Sequence, residues 1–136
     1  MSITNYAPQR YTVLENVSAA DNYGSEVQAG DFKTRIVELV AGTGLDGELV
    51  VYESNQELPP DITLAASADN SYYPVGYTKT DDQSYLDVDN PFTPGGTAGT
   101  YVFNVETTGS VWIFAAILNR TAGTVEKVTI NLFDNQ

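Results

Sequence analysis

Six residues in the first half of the chain, 42–47 (GTGLDG), match the G-x-G-x-x-G pattern with which dinucleotide-binding proteins hold a pyrophosphate. That chemistry requires a helix after the third glycine, because the first backbone N–H groups of the helix bind the phosphate. Here a β-rich segment, 48–53, follows, and Asp46 and Glu48 would repel a phosphate. We therefore expect no cofactor at these glycines and predict a hairpin, with strands over 32–40 and 48–53 joined by a glycine turn.

Acidic side chains suggest two other kinds of chemistry. Glu38 and Glu53 could form the carboxylate pair of a glycosidase, and the acidic run 81–90 could supply oxygen ligands to Ca²⁺. The run lacks the glycine and the final glutamate of an EF-hand loop, so we favour a solvated loop and predict no metal site. The chain has no histidine and no cysteine, which excludes Ser-His-Asp catalysis, thiolate nucleophiles and Cys/His zinc sites. We expect a protein that is not an enzyme, with no catalytic residues and no cofactor.

Tyrosine is over-represented, with nine residues in a chain of 136. Four of them, Tyr72, Tyr73, Tyr77 and Tyr85, lie close together in the sequence. Exposed tyrosine rings suit stacking on sugars and also protein interfaces, because an amphipathic ring contributes contact area at low entropic cost. These four residues are our candidate glycan contacts, and ordinary packing within a β-sandwich is the alternative.

Charge and hydropathy limit the possible partners. The 18 acidic and 6 basic residues give a net charge of −12, which repels nucleic-acid phosphates, so we expect no nucleic-acid partner. The longest apolar run, 111–118 (VWIFAAIL), is far shorter than the ~20 residues of a membrane-spanning helix. The N-terminus shows no basic region followed by an apolar stretch. We therefore expect no signal peptide, no membrane association, and synthesis in a cytoplasm.

Hydrophobic alternation with a period of two predicts an all-β protein. The predicted strands cover residues 11–17, 32–40, 48–53, 72–78, 99–105, 110–118 and 124–133. The last is the clearest, since Val128, Ile130 and Leu132 alternate with polar residues that include Thr129 and Asn131, which predicts one buried and one solvated face. The run 111–118 is apolar on both faces and is expected at the centre of a sheet.

These elements predict one antiparallel β-sandwich, with either a jelly-roll or an immunoglobulin-like topology. The sandwich is expected over residues 31–136. The more polar residues 1–30 are expected to form an extended N-terminal arm with one strand.

Two segments that contain glycine turns carry a resemblance to a family. VELVAGTGLDGELVVYESN is followed later in the chain by VWIFAAILNRTAGTVEKVTINLF. Together they resemble small β-sandwich virion proteins of tailed bacteriophages, which show an apolar strand, a Gly-Thr turn and Gly-x-Leu-x-Val ending in Ser-Asn. An aromatic strand, a second Gly-Thr turn and a last alternating strand follow near their C-terminus. The matching positions here are Gly42, Thr43, Gly47, Leu49, Val51, Ser54, Asn55, Trp112, Arg120, Thr121, Gly123 and Thr124.

The resemblance implies a non-enzymatic virion protein, of the head decoration or auxiliary capsid type, on the outer surface of the head. Such a protein would bind the major capsid protein and neighbouring copies of itself, and we expect a homo-oligomer, with a trimer favoured. The expected contact residues are Tyr6, Arg10 and Tyr11 in the arm and Pro91 and Phe92 in the loop 90–96. The alternatives are a carbohydrate-binding module of a phage fibre and a tail or collar component.

Overall fold

A computed structural model describes residues 7–107 and 109–134, and this part of the chain consists of β-strands and turns with no helix. The strands are β1 (Gln9–Val17), β2 (Asn22–Tyr23), β3 (Val27–Gln28), β4 (Thr34–Ala41), β5 (Asp46–Ser54), β6 (Tyr73–Pro74), β7 (Tyr77–Lys79), β8 (Tyr85–Leu86), β9 (Gly99–Val105), β10 (Trp112–Ala122) and β11 (Val125–Phe133). They form a six-stranded sheet, β1-β11-β4-β9-β7-β8, and a five-stranded sheet, β2-β10-β5-β6, in which β3 also pairs with β10. The two antiparallel sheets pack face to face, so the predicted all-β sandwich is confirmed.

The strand pairing identifies the sandwich as a jelly roll. β1 pairs with β11, β2 with β10, β4 with β9, and β5 with β6, so strands pair from the two ends of the chain inward. A long antiparallel ribbon that rolls up into two sheets has this pairing. β3 also pairs with β10, and β7 and β8 extend the six-stranded sheet beyond β9. Of the two predicted topologies, the jelly roll is the correct one.

The core lies between the sheets and is built by alternation along the strands. On β4 every second residue is buried, so Val37 and Leu39 face the core while Glu38 faces outward. Each aliphatic side chain buried in this way stabilises the fold by roughly 1.5–3 kcal/mol. β10 lies between β2 and β5 and is buried on both faces over residues 113–117, which confirms the prediction of a central strand there.

The glycine-rich segment 42–47 does not form a hairpin turn, and that prediction is wrong. β4 pairs with β9 and β11, whereas β5 pairs with β6 and β10, so the segment carries the chain from one sheet to the other. Gly44 adopts a φ of +81°. The buried Leu45 donates its N–H to Gly42 O and accepts from Gly96 N. Gly47 already belongs to β5, where a dinucleotide site would need a helix.

The predicted division between an arm over 1–30 and a sandwich over 31–136 is also wrong for the described residues. β1, β2 and β3 lie within residues 9–28 and pair with β11 and β10. Val13, Leu14 and Val27 from this stretch belong to the core. Residues 1–6, the first part of the predicted arm, lie outside the described residues.

The single strand predicted over residues 72–78 is two short strands in different sheets. β6 pairs with β5 in the five-stranded sheet, and β7 pairs with β9 in the six-stranded sheet. Between them the chain crosses the sandwich at the buried Val75 and Gly76. The strand predicted over 99–105 is found with the same bounds, and the others are found with their ends shifted by up to four residues.

The alternation predicted for β11 is confirmed, but its second face is not solvated at Thr129 and Asn131, which are buried. Arg10 on β1 and Glu38 on β4 form an ion pair with 3.7 Å between Arg10 Nη2 and Glu38 Oε1. β11 lies between those two strands, so the ion pair spans it. Beneath the ion pair, the Asn131 side chain donates a hydrogen bond to Thr129 Oγ1.

Candidate functional site

The long connection between β5 and β6, residues 55–72, covers part of the outer face of the five-stranded sheet. Ile113 and Ala115 on β10 point into the core, so Phe114 between them points to the opposite side. Phe114 is nevertheless buried, because residues 59–63 of the connection lie over it. Ile62 of the connection is also buried, although it does not belong to the core cluster.

Side-chain hydrogen bonds hold this connection in place. Trp112 Nε1 donates to Gln56 O over 2.9 Å, and Gln56 Oε1 accepts from Ser71 N over 2.8 Å. Asn70 Oδ1 accepts from Asp61 N over 2.7 Å, and Asn70 Nδ2 donates to Asp61 O over 2.8 Å. One asparagine therefore closes the tip of the connection into a loop. A loop fixed in this way loses little entropy when it binds a ligand.

Tyr23, Tyr52 and Tyr72 gather on the same face. The rings of Tyr52 and Tyr72 meet edge to face with their centroids 5.2 Å apart. Burial raises the pKa of Tyr52, and the nearby Tyr72 and Tyr23 raise it further. Burial also raises the pKa of Tyr72, with smaller contributions from Tyr23 and the carboxylate of Asp61. The Tyr52 and Tyr72 rings are therefore in contact, and the charge of Asp61 acts on Tyr72.

A cavity of about 340 Å³, which we call the Tyr23 cavity, opens beside these tyrosines. Asp61 is one of its two carboxylates. Asp61 Oδ1 accepts hydrogen bonds from Thr63 Oγ1 and Thr63 N, at 2.5 and 3.0 Å, and these bonds lower the pKa of the carboxyl group. The aspartate is therefore ionised at neutral pH. The cavity is lined by Tyr23, Gly24, Glu26, Pro59, Pro60, Asp61, Ile62, Thr63 and Phe114.

A second cavity of about 290 Å³ lies at the crossing between β6 and β7, and we call it the Tyr73 cavity. Its lining includes Tyr73 and Glu106. Tyr85 OH donates to Glu106 Oε2 over 3.2 Å, and the charge of Glu106 raises the pKa of Tyr85. The Tyr85 ring packs on Gly76, where a Cβ would lie 2.2 Å from the tyrosine oxygen. Two of the four predicted glycan contacts, Tyr73 and Tyr85, therefore lie beside one cavity.

The other two predicted glycan contacts lie elsewhere. Tyr72 belongs to the tyrosine cluster described above. Tyr77 is fully buried in the core, where its OH donates to Leu49 O over 2.5 Å and accepts from Phe92 N over 2.9 Å. Burial raises the pKa of Tyr77 to about 12. The prediction that Tyr77 contacts a glycan is therefore wrong, because its ring faces the other sheet.

The predicted interface residues have different surroundings. Arg10 and Tyr11 lie on the edge strand β1 and are exposed. Phe92 is half-buried and packs against two aromatic rings of β9, with centroid distances of 4.7 and 4.9 Å, while Pro91 beside it is also half-buried. Tyr6 lies outside the described residues.

Glu38 and Glu53 do not form a carboxylate pair, because Glu38 faces outward on β4 and Glu53 is buried on β5. Arg35 Nη1 donates to Glu53 Oε2 over 2.7 Å, and both side chains are fully buried. The guanidinium also donates to Ser110 Oγ and O, each over 2.6 Å, and to the carbonyl groups of Ala29 and Phe32. This ion pair joins the two sheets. Sequence analysis missed Arg35, although it lies two residues before Val37 and so occupies one of the inward-facing positions of β4.

The acidic run 81–90 consists of turns on either side of the short strand β8. Lys79 Nζ lies 3.0 Å from Asp81 Oδ1 and 3.5 Å from Asp82 Oδ2. Asp87 Oδ1 accepts from the backbone N–H groups of Asp89 and Asn90. Within residues 7–107 and 109–134, no three Asp, Glu, His or Cys side chains are grouped to hold a metal ion. The same residues contain no helix of the length and hydrophobicity needed to cross a membrane.

Comparison with known proteins gives one likeness. No protein-family model matches the sequence, and no curated protein matches it. Among solved structures, the crystal structure of SPBc2 prophage-derived protein YomS is similar, with a TM-score of 0.61 and 14% sequence identity. The match covers 96% of this chain and 98% of that chain. The two proteins share a fold.

Proposed function

We propose that this chain is a non-enzymatic structural protein of a bacteriophage virion, of the decoration or auxiliary capsid type. In this role it binds the major capsid protein on the outer surface of the head and stabilises the shell by adding contact area between capsomers. The observation that carries the proposal is the likeness in fold to a prophage-derived protein over nearly the whole of both chains. The jelly-roll topology adds support, since this fold is common among viral capsid proteins.

The edge strand β1 is the contact surface that we propose for assembly. It has nine residues and lies at one edge of the six-stranded sheet, whereas β2, β6 and β8 have two residues each. A long edge strand presents backbone N–H and C=O groups to which a strand of another chain can pair. Residues 9–12 of β1 are exposed, and Tyr11 among them offers an aromatic ring. We propose that neighbouring copies meet here in a homo-oligomer, with a trimer favoured.

Light scattering tests this proposal, with the purified chain measured alone and after mixing with phage heads that lack it. We expect a stable trimer, or a monomer that the heads take up in a saturable ratio. Tyr11→Glu places a charge on the proposed contact, and Val88→Glu is the matched control, because the two residues are 40% and 44% exposed. Tyr11→Glu should lose oligomerisation and uptake, and Val88→Glu should keep both. A monomer that ignores heads contradicts the proposal, and uptake by tails instead supports a tail or collar component.

A second candidate function is carbohydrate binding, as in a module of a phage fibre. It is supported by the Tyr73 cavity, where an aromatic ring lies near a carboxylate that can accept hydrogen bonds from sugar hydroxyl groups. A glycan array tests it with Tyr73→Ala and Glu106→Gln, and Tyr11→Ala serves as the control at an exposed tyrosine outside this cavity. Binding that both cavity variants lose and the control keeps supports this function. An array without hits contradicts it.

A further inference from the structure

The Tyr23 cavity contains two carboxylates that no basic side chain of the described residues neutralises. The ion pairs of the described residues involve Arg10, Arg35 and Lys79, which lie outside this cavity. Neither Glu26 nor Asp61 takes part in them. Asp61 receives both hydrogen bonds from Thr63 at Oδ1. The cavity therefore presents negative charge on a chain whose net charge is already −12. A positively charged group is the ligand that such a cavity favours.

The rest of the lining combines polar surface with some apolar side chains. Tyr23, which is 36% exposed, contributes an aromatic ring, and Pro59 and Pro60 add apolar side chains, whereas Phe114 is almost fully buried. A ligand that suits this lining has a hydrocarbon stem and a charged end, because the stem packs on apolar walls while the end meets carboxylates. A tyrosine ring also attracts a cation directly. Lysine and arginine side chains have this chemistry, and a neutral sugar lacks the charge.

The surroundings of the cavity favour a protein as the source of that cation. Leu58 and Leu64 are 71% and 60% exposed, the highest values among the large hydrophobic residues described. Leu58 directly precedes Pro59, and Leu64 directly follows Thr63; both of these neighbours line the cavity. The two leucines therefore place apolar surface on both sides of this stretch of the lining, which a protein partner could cover.

We propose that the Tyr23 cavity binds a lysine or arginine side chain of a partner protein, with apolar residues of that partner covering Leu58 and Leu64. The volume of about 340 Å³ suits one long side chain. The hydrogen bonds of Asn70 to the backbone of Asp61 hold the wall in place before binding. This inference does not depend on assembly into a virion, because the cavity is complete within one chain.

Nuclear magnetic resonance of the isolated ¹⁵N-labelled protein tests the proposal with a capped Gly-Lys-Gly peptide. We expect saturable shifts of the Gly24 and Thr63 amides. A peptide with norleucine in place of lysine should bind about tenfold more weakly, because it keeps the stem and loses the charge. Raising NaCl from about 50 to about 500 mM should weaken binding of the lysine peptide several-fold. Equal binding of the norleucine peptide overturns the proposal.

Variants of the cavity give the second test. Glu26→Gln with Asp61→Asn removes both charges and keeps an oxygen that accepts from Thr63, so the loop should stay folded. Glu15→Gln with Asp89→Asn is the matched control, since both residues are exposed and absent from the lining. We expect the cavity variant to lose about tenfold in affinity and the control to lose less than about twofold. Equal losses of affinity in the cavity variant and the control variant overturn the proposal. It is also overturned if methyl glycosides shift the Gly24 and Thr63 amides and the lysine peptide does not.

Discussion

Replacement of Glu53 by glutamine tests the buried ion pair that joins the two sheets. The change keeps the size of the side chain and an oxygen that can accept from Arg35 Nη1, but it removes the charge opposite the guanidinium. Arg35 would then remain charged and fully buried, with only neutral partners at Ser110, Ala29 and Phe32. We therefore expect a large loss of stability from a substitution that alters no volume.

The magnitude follows from the surroundings of the pair. Loss of one partner from a buried ion pair lowers the free energy of unfolding by about 3–5 kcal/mol. Because the glutamine amide of the Glu53→Gln variant can still accept one hydrogen bond and the guanidinium keeps its other acceptors, we expect the lower end, about 3 kcal/mol. For a domain of this size, such a loss lowers Tm by roughly 12 °C.

Urea unfolding followed by tryptophan fluorescence measures this loss, because the chain has one tryptophan, Trp112, whose indole N–H is bonded to Gln56 O. Glu38→Gln is the matched control, since its ion pair with Arg10 is partly exposed and has a separation of 3.7 Å. We expect the control to change stability by less than about 1 kcal/mol. Replacing both Arg35 and Glu53 with methionine removes the buried charge but leaves the acceptors at Ser110, Ala29 and Phe32 without their donor, so we expect it to recover only part of the loss. A loss below about 1 kcal/mol for Glu53→Gln would refute the reasoning.

Four further predictions concern single residues. Tyr77→Phe should lower the free energy of unfolding by about 1–3 kcal/mol, because the Leu49 carbonyl and the Phe92 amide lose the hydroxyl that they share. Urea unfolding measures this loss. The pKa of Tyr77 is raised from 10.0 to about 12 in the folded state. The stability that the neutral hydroxyl contributes is therefore intact below pH 10 and is lost as the pH rises from 10 to about 12. Urea unfolding across this pH range should show the free energy of unfolding falling. Gly123→Ala should be at least about 2 kcal/mol more destabilising than Gly44→Ala, because both glycines have positive φ but only at Gly123 would a Cβ meet backbone atoms, at 2.2 Å; equal thermal shifts would contradict this. Asn70→Ala should speed hydrogen exchange at the Asp61 amide by about tenfold, since that N–H loses its acceptor, and an unchanged rate would mean that Asn70 does not hold the loop.

Local patterns predicted the longer strands, because alternation depends only on neighbouring residues, but they missed the two-residue strands β2, β3 and β8. The sequence could not show which strands pair, since pairing in a jelly roll joins residues as distant as Gln9 and Leu132. The prediction of a hairpin at 42–47 was wrong for this reason. A glycine turn has the same sequence signature whether the next strand pairs in the same sheet or belongs to the other sheet. Tyr77 was misassigned for a related reason, because the strand predicted over 72–78 changes sheet in the middle.

Two features of the candidate sites had signals in the sequence. The run 111–118 is apolar on both faces, and the outward-facing Phe114 is covered by the connection that forms the Tyr23 cavity. Arg35 occupies an inward position of β4, which requires a buried partner. The cavity itself could not be predicted, because Tyr23 and Asp61 come together only when β2 and the connection 55–72 meet on one face.

Mass spectrometry of purified phage particles produced from the genome that encodes this chain tests the central claim most directly. The proposal predicts that the chain is present in intact virions, remains with DNA-free heads after the tails are removed, and occurs in a fixed ratio to the major capsid protein. Its absence from virions that are complete in their other proteins would contradict a structural role in the particle.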